Sequence, residues 1–80
     1  MNVELRLFAS LRKFLPPGSP RGKCFLQLPP GTCLGALLSD MRIPQRKAHL
    51  VLINGLHGRD FERRLSDQDV VSVFPPVAGG

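Results

Sequence analysis

Tryptophan and tyrosine are absent from this chain, and its aromatic side chains are five phenylalanines. Base-stacking surfaces for single-stranded nucleic acid are built on interleaved aromatics and basic residues. The eleven Lys and Arg residues, against six Asp and Glu, invite a nucleic-acid reading through the net charge of +5. They are scattered, however, with no run longer than two, which favours a basic face that steers the domain to an acidic protein partner. Cysteine and histidine are equally sparse. Cys24 and Cys33 are not spaced as a CxxC pair, and only His49 and His57 are available to help them, so a structural zinc site is not expected. One disulfide is possible on count, but a cytoplasmic setting favours free thiols. No apolar run approaches the roughly 20 residues of a membrane span. Glu4 and Arg6 interrupt the opening apolar stretch, which argues against a secretory leader. The expectation is a cytoplasmic domain with no membrane contact.

Catalytic groups are also missing. Neither histidine has a Ser, Cys or carboxylate partner in sequence, and GLHG at 55–58 lacks the lysine and hydroxyl of a phosphate loop. Asp67 and Asp69 flank a tight corner, where such side chains bond nearby backbone. The residues describe a domain that is bound or acted upon, with no cofactor or metal of its own.

Alternation and punctuation give the elements. VELRLF at 3–8 puts Val3, Leu5 and Leu7 on one face of a strand. ASLRKFL at 9–15 carries helical spacing, and the prolines that follow end it. KCFLQL at 23–28 alternates again, with Cys24, Leu26 and Leu28 on one side. Thr32 is the expected N-cap of the main helix, CLGALLSDM at 33–41, whose stripe is Leu34, Leu37, Leu38 and Met41. Gly35 weakens that helix unless close packing requires it. HLVLIN at 49–54 is an interior strand, NGLHGRDF at 54–61 a turn-rich stretch with room for a short strand, and VVSVF at 70–74 the last strand. These elements make an α+β domain spanning residues 1–80: a sheet of four to five strands with one main helix across one face. If the Val and Leu faces meet the helix, then Phe8, Phe25 and Phe74 point to the open side as a candidate binding patch. Phe14 and Phe61 are core candidates.

The sequence closes FPPVAGG. Pro75 and Pro76 end the strand and hold the stem extended, because they lack N–H donors and have fixed φ. Residues 76–80 reach roughly 17 Å when extended. Gly79 and Gly80 have no Cβ, so they fit a narrow channel. Pro75, Pro76, Val77 and Ala78 form the stem, and the group presented is the carboxylate of Gly80.

Four segments carry a family resemblance that covers nearly the whole chain: LRLFASLRKFL, LPPGTCLGALL, LINGLHG and RLSDQDVVSVFPPVAGG. The chain resembles the ubiquitin-like sulfur carriers, above all the small subunit of molybdopterin synthase. The close FPPV-x-GG is the most specific part. The thiamine-pathway carrier shares the general pattern, and PPV favours the molybdopterin branch.

The resemblance implies a β-grasp (ubiquitin-like) fold in which the first and last strands are central neighbours, bringing Phe8 and Phe74 together. It implies that a ubiquitin-activating-type enzyme uses ATP to adenylate Gly80, and that a persulfide donor supplies sulfur to form a thiocarboxylate. The tail then enters the large synthase subunit and sulfur passes to a pterin precursor. Three departures stand out, one of them an overall charge, +5, more basic than the family pattern leads one to expect. Gln68 occupies the usual glycine of the D-G-D corner, so the turn is strained or of another type. Lys13 stands where glutamate is common. Other sulfur-transfer pathways and a lysine-conjugating protein modifier share the same tail chemistry. A basic RNA-binding β-grasp module with an incidental tail is the reading from a different class.

Overall fold

The first strand pairs with the last, in parallel, and the rest of the chain is arranged around that pair. The structure is a computed structural model that describes residues 1–77; the site assignments at Ala78, Gly79 and Gly80 lie outside the described residues. Among the described residues there are five strands: β1 (Asn2–Leu7), β2 (Lys23–Gln27), β3 (Leu50–Ile53), β4 (Leu56–His57) and β5 (Val70–Phe74). Their order in the sheet is β2-β1-β5-β3-β4. β5 is central, parallel to β1 and antiparallel to β3. This is the mixed β-grasp sheet, with one helix, α1 (Leu34–Asp40), across one face.

Alternation fixes which face is buried. Val3, Leu5, Leu7, Val51, Ile53, Val71 and Val73 are each at most 1% exposed, and Leu34, Leu37 and Leu38 of α1 are fully buried. Each such side chain contributes roughly 1.5–3 kcal/mol relative to solvent exposure. That packing is what holds α1, since a seven-residue helix is not stable on its own.

The ends of α1 differ from the sequence expectation. The N-cap is Cys33, with no side-chain cap, and the Thr32 hydroxyl instead donates to the Pro29 carbonyl at 2.7 Å. The first free helical N–H groups find backbone partners across the chain. Leu34 donates to the Arg63 carbonyl at 2.9 Å and Gly35 to the Phe61 carbonyl at 2.8 Å. At the other end, Arg42 donates to the Ser39 carbonyl and Ile43 to the Leu38 carbonyl. This is a Schellman closure, and it places Arg42 at φ +61, a conformation glycine usually takes.

The segment after β1 also departs from the α-helix its spacing suggests. Ala9–Phe14 is a 3₁₀ turn, and only Leu11 in it is buried. Leu11 bonds back to Phe8 and Leu15 to Arg12. So few residues between a strand and two prolines cannot nucleate a stable α-helix.

Candidate docking face at the tail root

Register decides what the open sheet face presents. Leu7 lies opposite Val73 in the parallel β1–β5 pair, so the next residues, Phe8 and Phe74, fall side by side. Their rings stack with centroids 4.2 Å apart and planes 11° from parallel. Backbone bonds fix both: Phe8 donates to the Val73 carbonyl at 3.2 Å, and His49 donates to the Phe74 carbonyl at 3.0 Å. The chain then turns sharply at Ala9, with φ +51. A backbone conformation that disfavours side chains thus sits beside the aromatic pair.

Pro75 and Pro76 follow immediately and end the ladder, since neither has an N–H to give. Around them is an apolar cleft of about 570 Å³, walled by Phe8, Phe74, Leu50, His49, Pro75 and Val77 among others. The structure thus joins Phe8, Phe74, Pro75, Pro76 and Val77 in one place. Leu50 belongs there because it is the antiparallel partner of Phe74. Sequence reasoning left out Leu50, His49 and Ala9, because strand register, not composition, brings them in.

Phe25 is on the same open face but stands apart. It is 70% exposed and lies opposite Glu4. That is four residues along β1 from Phe8, roughly 13 Å. Its neighbours in a shallow hollow are Asn2, Glu4, Gln68 and Val70. The expected patch of three phenylalanines is therefore a stacked pair with a third ring at the far end. Between them lies a polar row in which Arg6 pairs with Glu4 and faces Lys23 on β2.

The other candidate groups are structural. Asp69 is buried, accepting from Asn54 Nδ2 at 2.9 Å and from the Ser66 N–H at 2.8 Å. Asp67 accepts from the Asn2 N–H at 2.6 Å, and that bond holds its carboxyl below the usual range. Both cysteines are free and half-buried. Burial pushes the Cys24 thiol up, away from the thiolate a nucleophile needs. Among the described residues no cluster of His, Cys, Asp and Glu is suited to a metal. No helix among them is long and apolar enough to cross a membrane. Among the described residues the arrangement offers an apolar face at the root of the Pro75–Pro76 stem, on which a partner can dock.

Comparison with known proteins agrees with this geometry. Residues 5–80 match the model of the ThiS family. No curated protein matches the chain significantly. Among solved structures, the Haloferax volcanii HVO 2177 protein is 31% identical with a TM-score of 0.75, over all of this chain and 87% of that one. SAMP1 from Haloferax volcanii superposes with a TM-score of 0.71 at 21% identity, over 100% of both chains. A complex of subunits 1 and 2 of the molybdopterin-converting factor from Helicobacter pylori contains a chain with a TM-score of 0.61 at 24% identity, again over 100% of both.

Proposed function

Because the chain belongs to the ThiS family, we propose that it is a sulfur carrier, working as the small subunit of a molybdopterin synthase. The single observation that carries this reading is the stacked Phe8–Phe74 pair at the root of the Pro75–Pro76 stem. An apolar anchor beside a stiff thread suits a domain that docks by its body and delivers its tail into another protein's active site. The FPPV-x-GG close and the likeness to a molybdopterin-converting factor solved with its second subunit support the molybdopterin branch.

In this mechanism the carrier contributes an acyl group, a thread and a docking face. A ubiquitin-activating-type enzyme binds the aromatic pair and directs the Gly80 carboxylate at the α-phosphate of ATP. The products are the acyl-adenylate and pyrophosphate. The terminal sulfur of a persulfide donor displaces AMP to give an acyl disulfide. A second thiol then attacks the donor sulfur, forms a disulfide with it, and releases the thiocarboxylate on Gly80. Gly79 and Gly80 lack side chains, so both enzymes can close tightly around the reacting carbon. The same pad then seats on the synthase large subunit, where the sulfur moves to the pterin precursor and hydrolysis restores the carboxylate.

Intact mass spectrometry tests this. The protein is incubated with a candidate adenylating enzyme, ATP and a sulfur donor. The expected result is a gain equal to exchange of one oxygen for sulfur, absent when Gly80 is deleted. Absence of that gain with every active candidate enzyme overturns the reading. A lysine adduct in cells without a thiocarboxylate intermediate in sulfur transfer points instead to a protein modifier.

A further inference from the structure

The tail root has a charge pattern that the aromatic pair does not explain. On one flank of Pro75 and Pro76 is a groove lined by Lys13, Phe14 and Lys47. The two ammonium groups lie 5.5 and 5.9 Å from the centroid of the Phe14 ring, and cation–π attraction holds them there. On the other flank, beside Phe8, a second groove is lined by Arg6, Arg21 and Lys23. No Asp or Glu lines either groove or the apolar cleft between them. Among the described residues Arg6–Glu4 is the only ion pair, so Lys13, Lys47, Arg21 and Lys23 have no carboxylate within bridging distance there. Glu4 reaches the edge of the second groove through Arg6, and the other carboxylates in the loops lie elsewhere. Asp67 and Asp69 are at the opposite end of β5, and Asp60 and Glu62 are in the loop that caps the start of α1.

Resting on the carrier reading, we infer that these residues form a two-sided cationic collar, and that it fits one kind of partner: an adenylating protein whose apolar pocket for Phe8 and Phe74 is rimmed by Asp and Glu on both sides. Like charges gathered on one end repel each other, and the exposed cation–π contacts to Phe14 offset that only in part. Opposite charge on a partner offsets that repulsion and steers the tail inward from a distance, since unscreened charges act over a Debye length of about 8 Å at physiological salt. An apolar centre with a charged rim is the anatomy of a protein interface. It does not match a nucleic-acid track. The apolar cleft interrupts the cations, and the two central rings stack on each other instead of standing free for bases.

The test is stopped-flow association with the ubiquitin-activating-type enzyme from the same genome, alongside ATP–pyrophosphate exchange. Two collar pairs are reversed, Lys13→Glu with Lys47→Glu and Arg21→Glu with Lys23→Glu. Arg63→Glu with Arg64→Glu makes the same change in net charge on exposed residues outside the collar. Arg21→Gln with Lys23→Gln is the milder companion, because Arg21 sits at φ +55. At low salt each collar reversal should slow association about 10-fold or more, with the control unchanged and the gap closing as salt rises. Collar variants that associate like the control, while the wild type supports exchange, overturn the collar and leave the carrier reading standing. No exchange with the wild type overturns both. Single-stranded RNA binding that depends on the collar, with enzyme association unaffected, also overturns the inference.

Discussion

Phe8 and Phe74 come from the two ends of the described chain, yet their rings stack at 4.2 Å. The parallel pairing of β1 with β5 makes this possible, and no local segment of the chain contains the pair. Both side chains are half-buried, so each has a packed side and an open side. Replacing Phe8 with Ala should cost roughly 1–2 kcal/mol of stability, from the lost stack and part of the burial. Its effect on docking should be larger: association with the adenylating enzyme weakened about 10- to 100-fold, as for an interface anchor. Calorimetric titration beside a denaturant melt separates the two. Unchanged affinity in a folded Phe8→Ala variant removes the pad from the mechanism.

A second prediction concerns the corner before β5. Gln68 adopts φ +69 there, while its N–H donates to the Asn2 carbonyl at 2.6 Å and ties the corner to β1. The backbone bond needs that geometry, but nothing needs the side chain, whose nearest bond is an exposed 3.4 Å contact to Asp67. Left-handed backbone costs a residue with a Cβ about 1–2 kcal/mol, part of which glycine loses again as chain entropy. Gln68→Gly should therefore raise stability by about 0.5–1 kcal/mol in urea denaturation. A lower midpoint contradicts the strain argument.

How much was legible beforehand follows from which contacts are local. Strict alternation in VELRLF and VVSVF identified Val3, Leu5, Leu7, Val71 and Val73 as core, and all five are buried. The strained corner showed as a glutamine where the resembling family has glycine. The caps of α1 were not legible, because the carbonyls that receive Leu34 and Gly35 N–H groups come from residues nearly thirty positions away. For the same reason the place of Leu50 in the cleft, and the distance of Phe25 from it, became clear only with the register.

The third prediction follows Asp67, whose carboxylate accepts the Asn2 N–H and is held below the usual 3.8 by that bond. A carboxyl with a depressed folded pKa binds protons more readily in the unfolded chain. Its stabilisation is present above the unfolded pKa and is lost as pH falls through the folded one. Stability should therefore decline as pH drops below about 4, and Asp67→Asn should flatten that part of the profile by lowering stability at neutral pH while leaving it nearly unchanged near pH 2. Urea melts from pH 6 down to 2 check it; parallel profiles for the two proteins would assign the acid loss to other carboxylates.

The last prediction sets helix propensity against packing at Gly35. On propensity alone, Gly35→Ala inside α1 should add up to about 1 kcal/mol. The structure reverses the sign. A Cβ at this position meets the Phe61 carbonyl oxygen at 3.0 Å, Gln45 Nε2 at 3.3 Å and Phe61 Cβ at 3.4 Å. The carbonyl cannot withdraw freely, because it is the acceptor for the Gly35 N–H at 2.8 Å and so caps the helix. A methyl group there pushes on the bond that replaces the missing side-chain cap. Overpacking of this kind costs about 1–3 kcal/mol, so the variant should be less stable by about 1 kcal/mol or more in urea denaturation. The loss should be local to the contact between α1 and the 61–63 segment, with amide exchange at Leu34 and Gly35 accelerating before that of β1 and β5. A more stable Gly35→Ala protein would mean that the loop yields easily and that the close approach is incidental to the fold.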